Sequence, residues 1–167
     1  MAETLDVVLL ELVRARLLTE YPSQLTACLA ALSDDDVWWR PHEQANAVGN
    51  LVLHLAGSNR HYLEHVIGGG ADVRDRDAEF ARRGGQSKAD LLALWDDVTA
   101  RGRRVLGALT PDRLLAPTVD RGRSVALVLL HVTHHNALHL GQIVWVTKAR
   151  RPGVLHELIR GPQPPVR

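Results

Sequence analysis

Apolar residues recur along this chain at helical spacing, and no segment reads convincingly as a strand. The first stripe is Leu5, Leu9 and Leu12, widened by Val8 and Ala15, and it predicts a helix from about Thr4. Pro22 falls inside this pattern. Lacking a backbone N–H, it either kinks the helix or opens a second segment over residues 23–32. Ser33 with Asp36 approximates a capping box. The Trp38-Trp39-Arg40-Pro41 run that follows reads as a connector, because Pro41 disfavours helix at Arg40. A second helix is predicted from Asn46, a good N-cap, to Ile67, where Gly68-Gly69-Gly70 can end it. Residues 71–86 form a charged loop, with a helical turn over 79–83. Ser87 and Asp90 open a third helix, with Leu91, Trp95, Val98, Val105 and Leu109 as its core stripe. Thr110-Pro111 begins a short turn, and residues 116–123 form a loop or small hairpin. The fourth helix runs from Ser124 to about Lys148. Its opening, Val125 to Leu130, is apolar all round, which places it at the centre of a core or in a subunit interface. The Pro- and Gly-rich tail after Arg150 reads as extended or disordered.

Four long helices without strands predict an all-α four-helix bundle. One domain over residues 1–150 is expected, with a C-terminal tail over 151–167. The composition agrees: 46% of the 167 residues are hydrophobic and 23% charged, as in an ordinary globular domain. A net charge of +1 gives no global attraction to nucleic acid or anionic lipid, and no apolar run is long enough for a membrane span. Lys148, Arg150 and Arg151 suit a helix C-terminus, where they complement the dipole. The N-terminus is acidic where a signal peptide is basic, so a cytoplasmic protein is expected. The single cysteine, Cys28, excludes an internal disulfide and a multi-cysteine zinc site, and reads as an inert core thiol. Trp38 and Trp39 read as packing residues rather than a substrate platform.

Nine histidines change this picture. His131, His135 and His139 fall within about 80° of arc on the fourth helix. His135 and His139 form an H-x3-H pair whose imidazoles stand one turn apart and can grip a single ion. On the second helix His54, His61 and His65 share a face with Asn50 and Ser58. Facing helices of a bundle build metal sites from inward side chains in this way. The competing reading is a set of hydrogen-bonded core imidazoles. Burying several without partners costs about 1–3 kcal/mol each, whereas one shared cation satisfies them together. His131 reads either as a neighbour supporting His135 or as a core or interface residue; Asn50 and Gln142 are candidates for orienting ligands by hydrogen bonds.

His135-Asn-Ala-Leu-His139-Leu-Gly141-Gln142-Ile143 resembles the H-x3-H-x-G-Q-I signature of DinB-like proteins, the DinB/YfiT superfamily. Val48-Gly49-Asn50-Leu51-Val52-Leu53-His54-Leu55-Ala56-Gly57 is similar to the earlier helix of that family, which supplies one histidine, and Trp38-Trp39-Arg40-Pro41 to its connector. The resemblance implies a four-helix bundle, often a homodimer, holding zinc or nickel through three histidines, here His54, His135 and His139. It also implies chemistry on a small-molecule substrate: thiol-dependent S-transfer with a low-molecular-weight thiol, or hydrolysis. Certain thiol-using relatives carry a carboxylate where this chain has His135. Three imidazoles would leave a tetrahedral ion one open position, as in catalytic zinc. A non-catalytic metal-binding scaffold in a stress response is the alternative.

Overall fold

A computed structural model of the chain describes residues 4–119 and 122–154. The first rod runs unbroken through α1 (Leu5–Ala15), a π-helical turn (Arg16–Glu20) and α2 (Tyr21–Ala31). A short α3 (Asp34–Trp38) leads to α4 (Val48–Asn59), which continues as a π-helical stretch over Arg60–Ile67. After a loop and α5 (Arg76–Ala81) come α6 (Lys88–Ala108), a 3-10 turn (Pro111–Arg113) and α7 (Val125–Arg150). The four rods pack as a four-helix bundle, with α2 against α7 and α6, and α4 against α6 and α7. One core cluster centres on Leu29, Leu51, Trp95 and Ile143, the other on Leu10, Leu63, Leu106 and Val128. Among the described residues no strand forms; a single antiparallel bridge, Pro117 to Ser124, closes the small turn read as a loop or hairpin.

Pro22 stands in the first turn of α2, so the second segment opens there, joined to α1 by the π-helical turn. The wider turn before it bonds the Tyr21 N–H to the Arg16 carbonyl. The Leu18 carbonyl, which an N–H at position 22 would reach in an α-helix, instead accepts from Arg103 Nη2 of α6 at 2.9 Å.

Ser33, Ser87 and Ser124 cap α3, α6 and α7 with their side chains, the first two in full capping boxes with Asp36 and Asp90. Asn46 does not cap α4. Ala47 occupies that position, and its N–H donates to Oδ1 of Asn50 in the first turn, 3.2 Å away. The helical turn expected over 79–83 begins earlier, at Arg76, because Asp75 caps it through the Ala78 N–H.

The α1 stripe differs from the expected one. Leu10, Val13, Leu17 and Leu18 are buried, while Leu5 (83%), Val8 (42%) and Leu12 (49%) are exposed. Residues 5, 8 and 12 and residues 10, 13 and 17 both have helical spacing, and packing against α6 and α7 selects the second set. In α6 the stripe steps from Val98 to Gly102 and Leu106, with Val105 and Leu109 only partly buried. Gly102 lets α6 approach Leu63 closely: a Cβ there would stand 3.1 Å from Leu63 Cδ1. The apolar opening of α7 splits: Val125, Val128 and Leu129 enter the core, and Leu127 and Leu130 face outward. Trp38 packs beneath Gly49 and donates its indole N–H to the Gln86 carbonyl, and Trp39 lies under the Arg150 guanidinium. Most of the expected tail, residues 155–167, lies outside the described residues.

Candidate metal centre

The middle of α4 faces the middle of α7. Their register is fixed by two buried amides: Asn59 Nδ2 donates to Asn136 Oδ1 at 3.2 Å, and Asn136 Nδ2 returns a bond to Asn59 Oδ1 at 2.7 Å. Asn136 Nδ2 also donates to the Val132 carbonyl at 2.9 Å, but its Oδ1 and the Asn59 amide are satisfied across the helices, so the pair resists sliding of one helix along its neighbour.

This register brings His54, His135 and His139 together. Each offers one ring nitrogen within 4.8 Å of the others. His54 Nε2 and His135 Nε2 are 3.0 Å apart. Two imidazoles on one tetrahedral zinc, at bonds near 2.05 Å, would place their nitrogens roughly 3.3 Å apart. The observed gap suits either one shared proton or one shared cation.

Behind His54 stands a carboxylate that the sequence did not reveal. Glu79 of α5 is buried, and its Oε2 accepts from His54 Nδ1 at 2.9 Å. Arg74 holds that carboxylate in place, Nε to Oε1 at 2.8 Å and Nη2 to Oε2 at 2.9 Å. A carboxylate can only accept, so His54 keeps its proton on Nδ1 and turns the Nε2 lone pair toward His135. Arg74 Nη2 also lies 3.1 Å from Nδ1, but two N–H groups cannot bond each other, and that arm serves the carboxylate. Gly57 makes the arrangement possible, since a Cβ there would fall 1.9 Å from Glu79 Oε1. Phe80 covers the His54 ring, centroid to centroid 4.6 Å.

Asn50 does not touch the histidines. Its Nδ2 donates to the carbonyls of Glu79 and Arg82, 3.0 Å each, so it anchors the backbone that carries the carboxylate. Gln142 Oε1 lies 3.1 Å from His139 Nδ1, which directs the Nε2 of His139 inward. Ser58 Oγ is 3.4 Å from His135 Nδ1. His131 stacks beside His135, ring centroids 5.8 Å apart, and is exposed. His61 and His65 do not join the cluster. The first bonds Asp72 at 3.0 Å and the second the Gly70 carbonyl at 2.6 Å, both from the π-helical stretch beyond His54.

Electrostatics favour the neutral forms of His135 and His139. Burial pushes His135 down to about 3, and the neighbouring His139 and His54 add to the shift. Burial also lowers His139, against the opposing pull of Gln142. Burial alone would raise Glu79, but the hydrogen bonds from Arg74 and His54 outweigh it and hold the carboxyl below its ordinary value. Neutral imidazoles backed by a carboxylate are the protonation state that a transition-metal ion requires. The donor set fits zinc, nickel or a related ion and not magnesium or calcium.

The bundle and its histidine cluster define a class of helical proteins with an inward imidazole site. The DinB superfamily model matches residues 17–143, a span that contains all three histidines, and the chain belongs to that superfamily. Among solved structures it is similar to the DinB-like protein YjoA of Bacillus subtilis, at 17% identity and a TM-score of 0.65, over 83% of this chain and 92% of that one. Among curated proteins, none matches this sequence.

Proposed function

We propose that this protein is a metal-dependent enzyme whose zinc or nickel ion is held by His54, His135 and His139 with one coordination position open. The observation that carries the reading is the layered set of groups: three imidazoles from two helices, one oriented by Glu79, which is itself held by Arg74. A divalent ion in that position supplies a Lewis acid that acidifies a bound water or thiol. The chain's own contribution is to fix the ring orientations, to keep protons off the metal-facing nitrogens, and to shield the His54 side with Phe80. This supports hydrolysis or S-transfer from a low-molecular-weight thiol to a small electrophile, in a cytoplasmic homodimer. No helix among the described residues is long and apolar enough to cross a membrane.

The test uses untagged protein. Elemental analysis should give about one divalent ion per wild-type chain and a loss in His139→Ala. Azide or a free thiol should then perturb the spectrum of the cobalt-substituted protein. Equal metal in both proteins would remove His139 from the site. A spectrum indifferent to both probes would mean a closed site, and the chain would be a metal-stabilised scaffold.

A further inference from the structure

A cavity of about 390 Å³ lies between α4, α5 and the start of α6. That is within the size range of small-molecule sites, about 300–1,000 Å³. None of the three clustered histidines lines it; Glu79 and Arg74 form the wall between it and them. The charged groups of that wall are satisfied by each other, and Asp72 at the rim is satisfied by His61.

Other lining groups are not satisfied. Arg60 Nε, Glu64 Oε1 and Gln86 Oε1 are buried atoms without a hydrogen-bond partner. Arg60 Nε and Glu64 Oε1 face each other at 3.8 Å, close enough to attract and too far to bond, while Glu64 Oε2 lies 3.6 Å from Arg101 Nη1 and leaves Oε1 as the unbonded oxygen. Arg82, also on the cavity, is exposed and has no ion-pair partner among the described residues. The unmet demands are therefore those of a guanidinium, a carboxylate and an amide oxygen on one cavity. An anion alone would satisfy Arg60 and Arg82 but be repelled by Glu64, and a cation alone would satisfy Glu64 but be repelled by the arginines. A molecule with both charges a few ångströms apart can lie antiparallel to the Arg60–Glu64 pair and satisfy each end. Leu53, Ala56 and Leu94 offer apolar surface to the remainder of such a molecule.

We propose that this cavity binds a free α-amino acid, with the ligand's carboxylate on Arg60 and Arg82 and its ammonium on Glu64 and Gln86. The site stands whether or not the histidines hold a metal. L-leucine at millimolar concentration, followed by saturation-transfer NMR and calorimetry on the full chain, tests it. Leucine should bind, while N-acetyl-L-leucine and L-leucinamide, each lacking one charge, should bind at least about tenfold more weakly because a buried partner is left unpaired. The Arg60→Met/Glu64→Gln protein should lose leucine binding with its circular dichroism unchanged. If that double variant does not fold, Arg82→Ala, at an exposed position, should still weaken binding. Equal binding of the blocked compounds would overturn the proposal. So would no binding of leucine or of any other standard amino acid, and so would unchanged binding in the folded variants.

Discussion

Glu79 is the residue on which the histidine site turns. It touches His54 and not the shared nitrogens, so its influence on a metal passes through the orientation and basicity of one imidazole. Glu79→Gln should lower zinc affinity by about 10–100-fold in competition with a chromophoric chelator, with the helical content kept. Gly57→Ala should act in the same direction from the neighbouring helix, because its methyl displaces the carboxylate. The pH dependence of the metal-free protein follows from His135. Its folded imidazole titrates at about 3 against 6.5 in the unfolded chain, so between those values the unfolded chain binds the extra proton. Stability is full above about pH 6.5 and falls as the solution is acidified. Urea midpoints at pH 7 and pH 5 should show the loss, with His135 contributing no more than about 2 kcal/mol, and His135→Gln should flatten the profile.

Between elements, the Asn59–Asn136 pair sets which turn of α7 meets which turn of α4. Replacing either residue by Ala leaves a buried amide oxygen without its donor and should cost about 1–3 kcal/mol in urea denaturation. The double replacement should cost less than the sum, since no orphan remains. Element boundaries were legible where the chemistry is local. Serines at positions 33, 87 and 124 announce their helices because a cap is made within three residues. The H-x3-H pair was legible for the same reason. Glu79 was not, because it stands 25 positions from His54 in a stretch crowded with like residues, and only the packing of α5 selects it. The π-helical turns were also hidden, since their extra residue leaves the apolar spacing ambiguous.

At the scale of the whole molecule, the histidines share α7 with a different surface. Leu127 (58% exposed), Leu138 (54%) and Trp145 (64%) fall within a narrow arc of that helix, Leu130 (49%) beside them, and α1 adds Leu5, Val8 and Leu12. Solvated apolar rows on two helices that pack together fit a second copy of the chain. Sedimentation should give about twice the 18.4 kDa chain mass, and Leu130→Glu with Trp145→Ser should halve it while circular dichroism stays unchanged. The same rows explain why the α1 stripe differs from the expected one: an outward apolar row and an inward core row have the same spacing in sequence.

The wide stretch at Arg60–Ile67 bears on which lengths of chain this architecture can tolerate. A π turn holds one residue more than an α turn over nearly the same rise. Removing Arg60 would let that stretch relax into ordinary helix, with His54 upstream undisturbed and the glycines after Ile67 absorbing the shortfall. Removing Thr133 from α7 finds no such slack; it turns His135 and His139 by about 100° relative to the residues before them. Single-residue deletions at the two positions should therefore separate cleanly. The first should retain bound zinc with a modest fall in melting temperature, and the second should lose the metal even where the bundle still folds.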